Sequence, residues 1–330
     1  MFMDLDLPNT EQATINHIIE ARKSIKENTY RAYIGYYKTM YRLYHNLDSL
    51  TEFPKSVDWL YDIPKIKSIV EARYKQTTQK NIYNALVVIL SAENGQTDTI
   101  LDYSALRDEA QSHYEKQAKS HTKSEKQAQN WLEIEDVDKL LKYYKKEANR
   151  IYKKYTITMP SRADHATLQE YIILLTHRNI PMRNDLANMR VVTPKEFSLI
   201  PLKEKESNNY LVGSNRAKYT FHINDYKTKK TFGNKVITIP KHLNREIRKY
   251  MRHNTSGYFI TNSKYGPITP NGITKMFTKM FQTHFNKNIS TSMLRHIYLS
   301  SKYKDDLVEK QKDSHNMGHS LDQQQDYIKV

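Results

Sequence analysis

A tyrosine with arginine and histidine close behind it is a candidate nucleophile for phosphate esters. The C-terminal forty residues of this 330-residue chain hold such a set in order. Arg295 and His296 sit in SMLRHIYL (Ser292 to Leu299), and NMGHSLDQQQDYIKV (Asn316 to Val330) places His319 eight residues before Tyr327. A phenol with a pKa of about 10 is a poor nucleophile at neutral pH. It attacks a phosphodiester usefully only where cationic donors neutralise the charge growing on the non-bridging oxygens. Arg295 offers a planar fork suited to phosphate, and His319 a second donor. Tyr327 would form a covalent phosphotyrosine, dividing one hard step into two easier ones.

Other chemistries lack their residues. The chain has no cysteine, hence no disulfide, thiol nucleophile or thiolate metal site. It carries no H-E-x-x-H helix, no glycine-rich phosphate loop and no acid cluster of the two-metal kind, so neither metal nor other cofactor is expected. Lysine and arginine total 52 against 36 acids, a formal charge of +16. Such a surface favours a polyanion, and double-stranded DNA is the expected partner. There is no apolar run of about eighteen residues and no basic-then-apolar leader. No membrane association is expected, and an intracellular location suits a DNA substrate.

The elements that must position these residues are mostly helices. Eight glycines in 330 residues argue against a turn-rich all-β fold. Residues 1–20 read as an N-terminal arm. From 21 to 118 helical periodicity predicts a bundle, with Ile25, Tyr33, Tyr36, Tyr37, Met40 and Leu43 on one early helix and Ile82, Ala85, Leu86, Ile89 and Leu90 on a later one. The charged, apolar-poor stretch 119–130 reads as a linker, and Trp131 opens a second domain running to 330. Strand signals lie in its middle. Tyr219 to Tyr226 alternates, Val236 to Ile239 supplies a partner, and Gly233-Asn234 between them signals a hairpin turn. The segment of Val191, Val192 and Phe197 is a candidate third strand. The expected fold is mainly α with a small antiparallel β-sheet.

The C-terminal motifs resemble those of the tyrosine recombinases of phage-integrase type. In that family a box reading H-x-L-R-H is followed by L-G-H-S and then the nucleophilic tyrosine. Ser292 to His296 matches the first box except at its first position, and Met317-Gly318-His319-Ser320 matches the second. The resemblance implies a helical core-binding domain followed by a tyrosine-recombinase-type catalytic domain. It also implies further site residues. The family's first arginine opens a helix after a tight turn, which points to Arg183 after Asn179-Ile180-Pro181, with Arg178 and Arg190 as rivals. The family's acid follows that arginine by three residues, whereas Asp185 follows Arg183 by two. The family's lysine lies on the β-hairpin and protonates the leaving 5′ oxygen. Lys227 takes that place here, with Lys229, Lys230 and Lys235 as close rivals. Ser292 stands where most members carry histidine, and a hydroxyl cannot serve as a base near pH 7. His296, His284 or water would take over part of that role.

In the first domain Thr29 to Tyr33 and Thr77 to Asn81 resemble helix starts of the family's DNA clamp. Arg31, Lys38, Lys75 and Lys80 there, with Lys229 and Lys230 on the hairpin, are the candidate DNA-contacting cations. The resemblance further implies a site-specific recombinase or integrase forming a 3′-phosphotyrosine intermediate, of viral or mobile-element origin. Four protomers would assemble on DNA, as a homotetramer. Ile328 to Val330 are too few for a helical turn, so a DNA-free monomer is expected. Two alternatives stay open: a type IB topoisomerase-like enzyme that relaxes DNA, and a DNA-binding protein with impaired catalysis.

Overall fold

A computed structural model describes the backbone of residues 10–50, 52–119 and 122–317, and their side chains except at 117–119 and 313–317. Two compact units divide between Thr122 and Lys123.

The first unit is helical: α1 (Glu11–Ala21), α2 (Glu27–Tyr44), α3 (Ile63–Arg73), α4 (Gln76–Ala92) and α5 (Thr97–Lys119). Part of the expected arm is therefore helix. Thr10 caps α1 through its hydroxyl, and Ile18 is wholly buried, which anchors the helix in the core. Helix α3 starts where Asp62 accepts from the Lys65 amide and Pro64 occupies the first turn. Tyr37, Met40, Trp59, Leu60, Val70 and Leu86 join one apolar cluster. Two of its buried phenols have backbone partners, Tyr37 donating to the Ser56 carbonyl (3.0 Å) and Tyr103 to that of Leu60 (2.8 Å), whereas the Tyr83 hydroxyl has none.

The second unit begins with a short helix, α6 (Glu125–Gln129), set by a capping box between Ser124 and Gln127 within the stretch read as linker. Helices α7 (Ile134–Lys154) and α8 (Arg162–Asn179) follow. Val137, Leu140, Tyr144, Ala148 and Ile151 give α7 one buried stripe, whereas α8 is buried from His165 to His177 on nearly every side. Then come β1 (Arg190–Val192), α9 (Pro194–Leu199), α10 (Leu202–Glu206), β2 (Tyr210–Val212), β3 (Thr220–Ile223), α11 (Lys229–Phe232) and β4 (Lys235–Thr238). The unit is completed by α12 (Lys241–Met251), α13 (Pro270–Phe285) and α14 (Thr291–Met317). Among the described residues no helix is long and apolar enough to cross a membrane.

The fold is thus mainly helical with one small four-stranded sheet, in the order β1-β2-β3-β4. Strands β3 and β4 form the expected antiparallel pair, and β2, which carried no strand signal, joins β3 antiparallel, so that Phe221 lies opposite Leu211 on one side and Ile237 on the other. The sheet as a whole is mixed, because β1 joins β2 in parallel. The cause is the α9–α10 connection, which carries the chain back before β2 begins. Phe197, expected near a third strand, lies in α9, where Thr193 and Glu196 form a capping box. Gly213 permits the return from β2 to β3. A Cβ there would come within 2.7 Å of the Tyr219 Cα, so only glycine fits. The β3–β4 connection is not a bare turn but holds α11, which ends at Gly233 with φ of +66°.

Candidate active site

Helix α8 ends at Asn179, and the chain then turns through Pro181 into a single 3₁₀ turn, Asn184–Leu186. Arg183 occupies the N-cap position of that turn, where an α-helix was expected. It is exposed, and among the described residues no carboxylate lies within ion-pair distance of it. The rival arginines are occupied: Arg178 makes a two-pronged contact with Asp138 (2.7 and 3.0 Å), and Arg190 pairs with Glu204. Asp164 is also committed, accepting from Tyr155 at 2.8 Å and Lys154 at 3.1 Å.

Arg295, from the second turn of α14, is near enough to Arg183 to feel its charge although 112 residues separate them in sequence. Burial, and then the nearby charge of Arg183, push the Arg295 guanidinium below its ordinary pKa. Its Nη2 donates to the Ser292 hydroxyl at 3.3 Å, while its buried Nε has no hydrogen-bond partner. A buried donor without an acceptor is costly, and an acceptor oxygen within its reach would offset that cost. Asp185 feels the charge of both arginines. Burial raises its pKa, and the charges of Arg183, Arg295 and Lys235 pull it back down. Three cations around one half-buried carboxylate leave a net positive recess, the electrostatics an oxyanion calls for.

Lys235, at the start of β4, is the hairpin lysine whose charge reaches this recess through Asp185. Its ammonium sits over the rings of Tyr226 (4.5 Å) and Phe232 (5.0 Å), which fix its position on the hairpin. Lys227 is exposed in the turn before α11. Lys229 donates to the Glu206 carbonyl at 2.7 Å, and Lys230 is exposed on α11. Ser292 is exposed at the start of α14, as is His296. His284 instead packs against the rings of Tyr143 and Tyr144 (4.9 and 5.5 Å). His319 and Tyr327 lie outside the described residues.

Two residues absent from the sequence reading hold the recess in shape. Asn184 donates to the Pro270 carbonyl and the Thr274 hydroxyl (both 2.9 Å) and accepts from Thr291 (2.7 Å). It thereby ties the Arg183 turn to the first turns of α13 and α14. His177, buried on α8, donates from Nδ1 to the Ile173 carbonyl (2.9 Å) and lies edge-on to Phe277. Burial depresses its pKa to about 4, so it is a neutral support at pH 7. No local signal distinguishes either residue, since their partners come from other elements.

In the first unit Arg31 pairs with Glu27 and Lys38 with Glu11 (2.8 and 2.9 Å), which partly neutralises both. Lys75 is exposed just ahead of α4, and Lys80 is half-buried on it. Among the described residues no group of three His, Asp or Glu is placed to hold a metal ion.

No family model matches this sequence, and no curated protein matches it. Among solved structures, the crystal structure of XerA recombinase aligns over 88% of this chain and 84% of its own, at 10% identity and a TM-score of 0.32. A TM-score that low bears on neither fold nor function.

Proposed function

We propose that this chain breaks and rejoins double-stranded DNA as a site-specific recombinase or integrase, through a 3′-phosphotyrosine link at Tyr327. The observation that carries the reading is that Asn184 ties the Arg183 turn to the start of the helix bearing Arg295, where the charge of Arg183 acts on the Arg295 guanidinium. In this reading the two guanidiniums bind the non-bridging oxygens of the scissile phosphate, with His319 as a further donor. The Tyr327 oxygen attacks phosphorus and its proton leaves to solvent. The bond from phosphorus to the 5′ oxygen breaks, and that oxygen takes a proton from a hairpin lysine. Lys235 is better situated for this than Lys227, because its charge already bears on Asp185. Attack by a 5′ hydroxyl on the phosphotyrosine reverses the sequence and reseals DNA without ATP. Exchange between two duplexes calls for several protomers on DNA, a homotetramer in the simplest scheme.

Ser292 favours a second reading, DNA binding without efficient cleavage. Its hydroxyl accepts from Arg295 and offers no base to the attacking phenol. A nicked suicide substrate separates the two. The recombinase reading expects a covalent DNA–protein adduct, mapped to Tyr327 by mass spectrometry and absent from Tyr327→Phe. Tight binding with no adduct would establish the second reading. Relaxation of supercoils by isolated monomers, without exchange between sites, would instead make the chain topoisomerase-like.

A further inference from the structure

The outer face of α7 takes no part in the site described above, yet it carries a long, dense run of cations. From Lys139 to Lys154 there are seven lysines and arginines and one acid, Glu147. At 3.6 residues per turn, Lys142, Lys145, Lys146, Asn149, Arg150 and Lys153 fall within an arc of about 140°, opposite the stripe buried by Leu140, Tyr144 and Ile151. All six are exposed, and together they flank a shallow trough of about 530 Å³. Arg150 has carboxylate partners in Glu147 and Asp164. Lys142, Lys145, Lys146 and Lys153 have none among the described residues. Lys142, Lys146 and Lys153 form the straightest row, about 17 Å long at 1.5 Å per residue.

Local helix energetics do not account for this row. The helix dipole favours cations in the last turn, which covers Lys153 and Lys154 but not Lys142, Lys145 or Lys146. Like charges three and four residues apart, such as Lys142 with Lys145 and Lys146, each destabilise the helix by about 0.2–0.5 kcal/mol. The repulsion is relieved when a polyanion lies along the row. The row also lacks the central apolar or aromatic anchor that protein interfaces use. A stiff, evenly charged partner fits it better: its length spans about five phosphate steps at 3.4 Å of axial rise.

We propose that the outer face of α7 is a separate binding strip for the phosphate backbone of duplex DNA. It is distinct from the Arg183–Arg295 recess. Helices α7 and α8 run antiparallel, since Arg178 near the end of α8 reaches Asp138 near the start of α7, and Lys154 reaches Asp164 at the other end. Asp164 and Asn179 are about 22 Å apart along α8, so the strip leads away from the Arg183 turn. A strip there engages duplex beyond the scissile phosphate, adding affinity without chemistry. The inference shares with the proposed function only the identity of the ligand.

The test is equilibrium binding of the full chain to a mixed-sequence duplex between about 50 and 200 mM salt. With about 0.9 counterions released per phosphate contact, Lys142→Gln/Lys146→Gln/Lys153→Gln should lower the log–log salt slope by about 2.7. Its deficit against the parent should then shrink about 40-fold across that range. The same loss should appear in an Arg183→Ala/Arg295→Ala background, because separated sites act additively. Lys142→Arg/Lys146→Arg/Lys153→Arg should keep the parental slope, which rules out a folding artefact. An unchanged slope in the glutamine variant overturns the proposal. So does an equal fall on neutralising Lys195, Lys203 and Lys264, which would reduce the effect to net charge. Because no outcome depends on cleavage, failure at Tyr327 and failure of the strip are read separately.

Discussion

Asn184→Ala isolates the tie that brings the two arginines together. Three hydrogen bonds disappear, to Pro270, Thr274 and from Thr291. Net worth is about 1 kcal/mol for a sheltered bond and less for the exposed one to Pro270, so the loss should be about 2 kcal/mol. Thr291, only 5% exposed, loses the acceptor of its hydroxyl and contributes much of this. Asn184→Asp is the sharper variant. It keeps the acceptor for Thr291 but sets a carboxylate oxygen against the Pro270 carbonyl, so it should cost at least as much despite its near-identical shape. Thr291→Val alone should cost about 1 kcal/mol and couple to Asn184→Ala in a double-mutant cycle, since both remove the same bond. Urea unfolding supplies the stabilities. Suicide-substrate cleavage supplies the functional reading, where a shift of about 1 Å between the arginines should slow the reaction up to about 100-fold. A stable Asn184→Asp variant, or an unstable one that cleaves at the parental rate, would refute the idea that this side chain aligns the recess.

Arg183→Ala and Arg295→Ala should each slow cleavage at least about 100-fold, the scale for losing a charge-stabilising donor, and near-normal adduct formation by either would remove it from the site. Lys235→Ala should block cleavage of an ordinary strand but spare one whose leaving 5′ oxygen is replaced by sulfur, because a thiolate departs without a proton. If Lys227→Ala shows that rescue instead, the acid is Lys227. His177 has a folded pKa depressed to about 4. A depressed histidine contributes stability above its unfolded pKa of about 6.5 that is lost as pH falls toward the folded value. The parent should therefore lose about 2–3 kcal/mol more than His177→Gln between pH 7 and 4.5, measured by urea unfolding at both; equal losses would show that the imidazole is not buried neutral.

Legibility in the sequence followed the range of the interactions. The one-sided apolar period of α7, the apolar run of α4 and the alternating strand at Phe221 and Ile223 could be read directly, because burial imposes their pattern locally. Strand β2 could not. Tyr210 to Val212 is three residues long and buried throughout, so it shows no alternation, and its parallel partner is set by the intervening α9 and α10. The placing of Arg183 and Arg295 in one recess rests on side chains far apart in the chain, and only their surrounding motifs marked them. Nothing local separates Lys235 from Lys227. That distinction comes from α11 inside the hairpin, which turns Lys235 back over Tyr226 and Phe232. Asn184 reads as an ordinary turn asparagine until its partners at 270, 274 and 291 are in place.

Those distant partners have a consequence for how the molecule is made. Contacts spanning some ninety to a hundred residues close late in folding, because long loops lose much chain entropy before any contact forms. Synthesis proceeds from the N-terminus at about 5–20 residues per second. Arg183 therefore emerges several seconds before Pro270, Thr291 and Arg295 exist to complete its surroundings. A nascent chain or truncated product ending before residue 295 holds half a cradle and cannot grip a phosphate in it. If the proposed function holds, its chemistry is withheld from incomplete chains by the order of assembly itself.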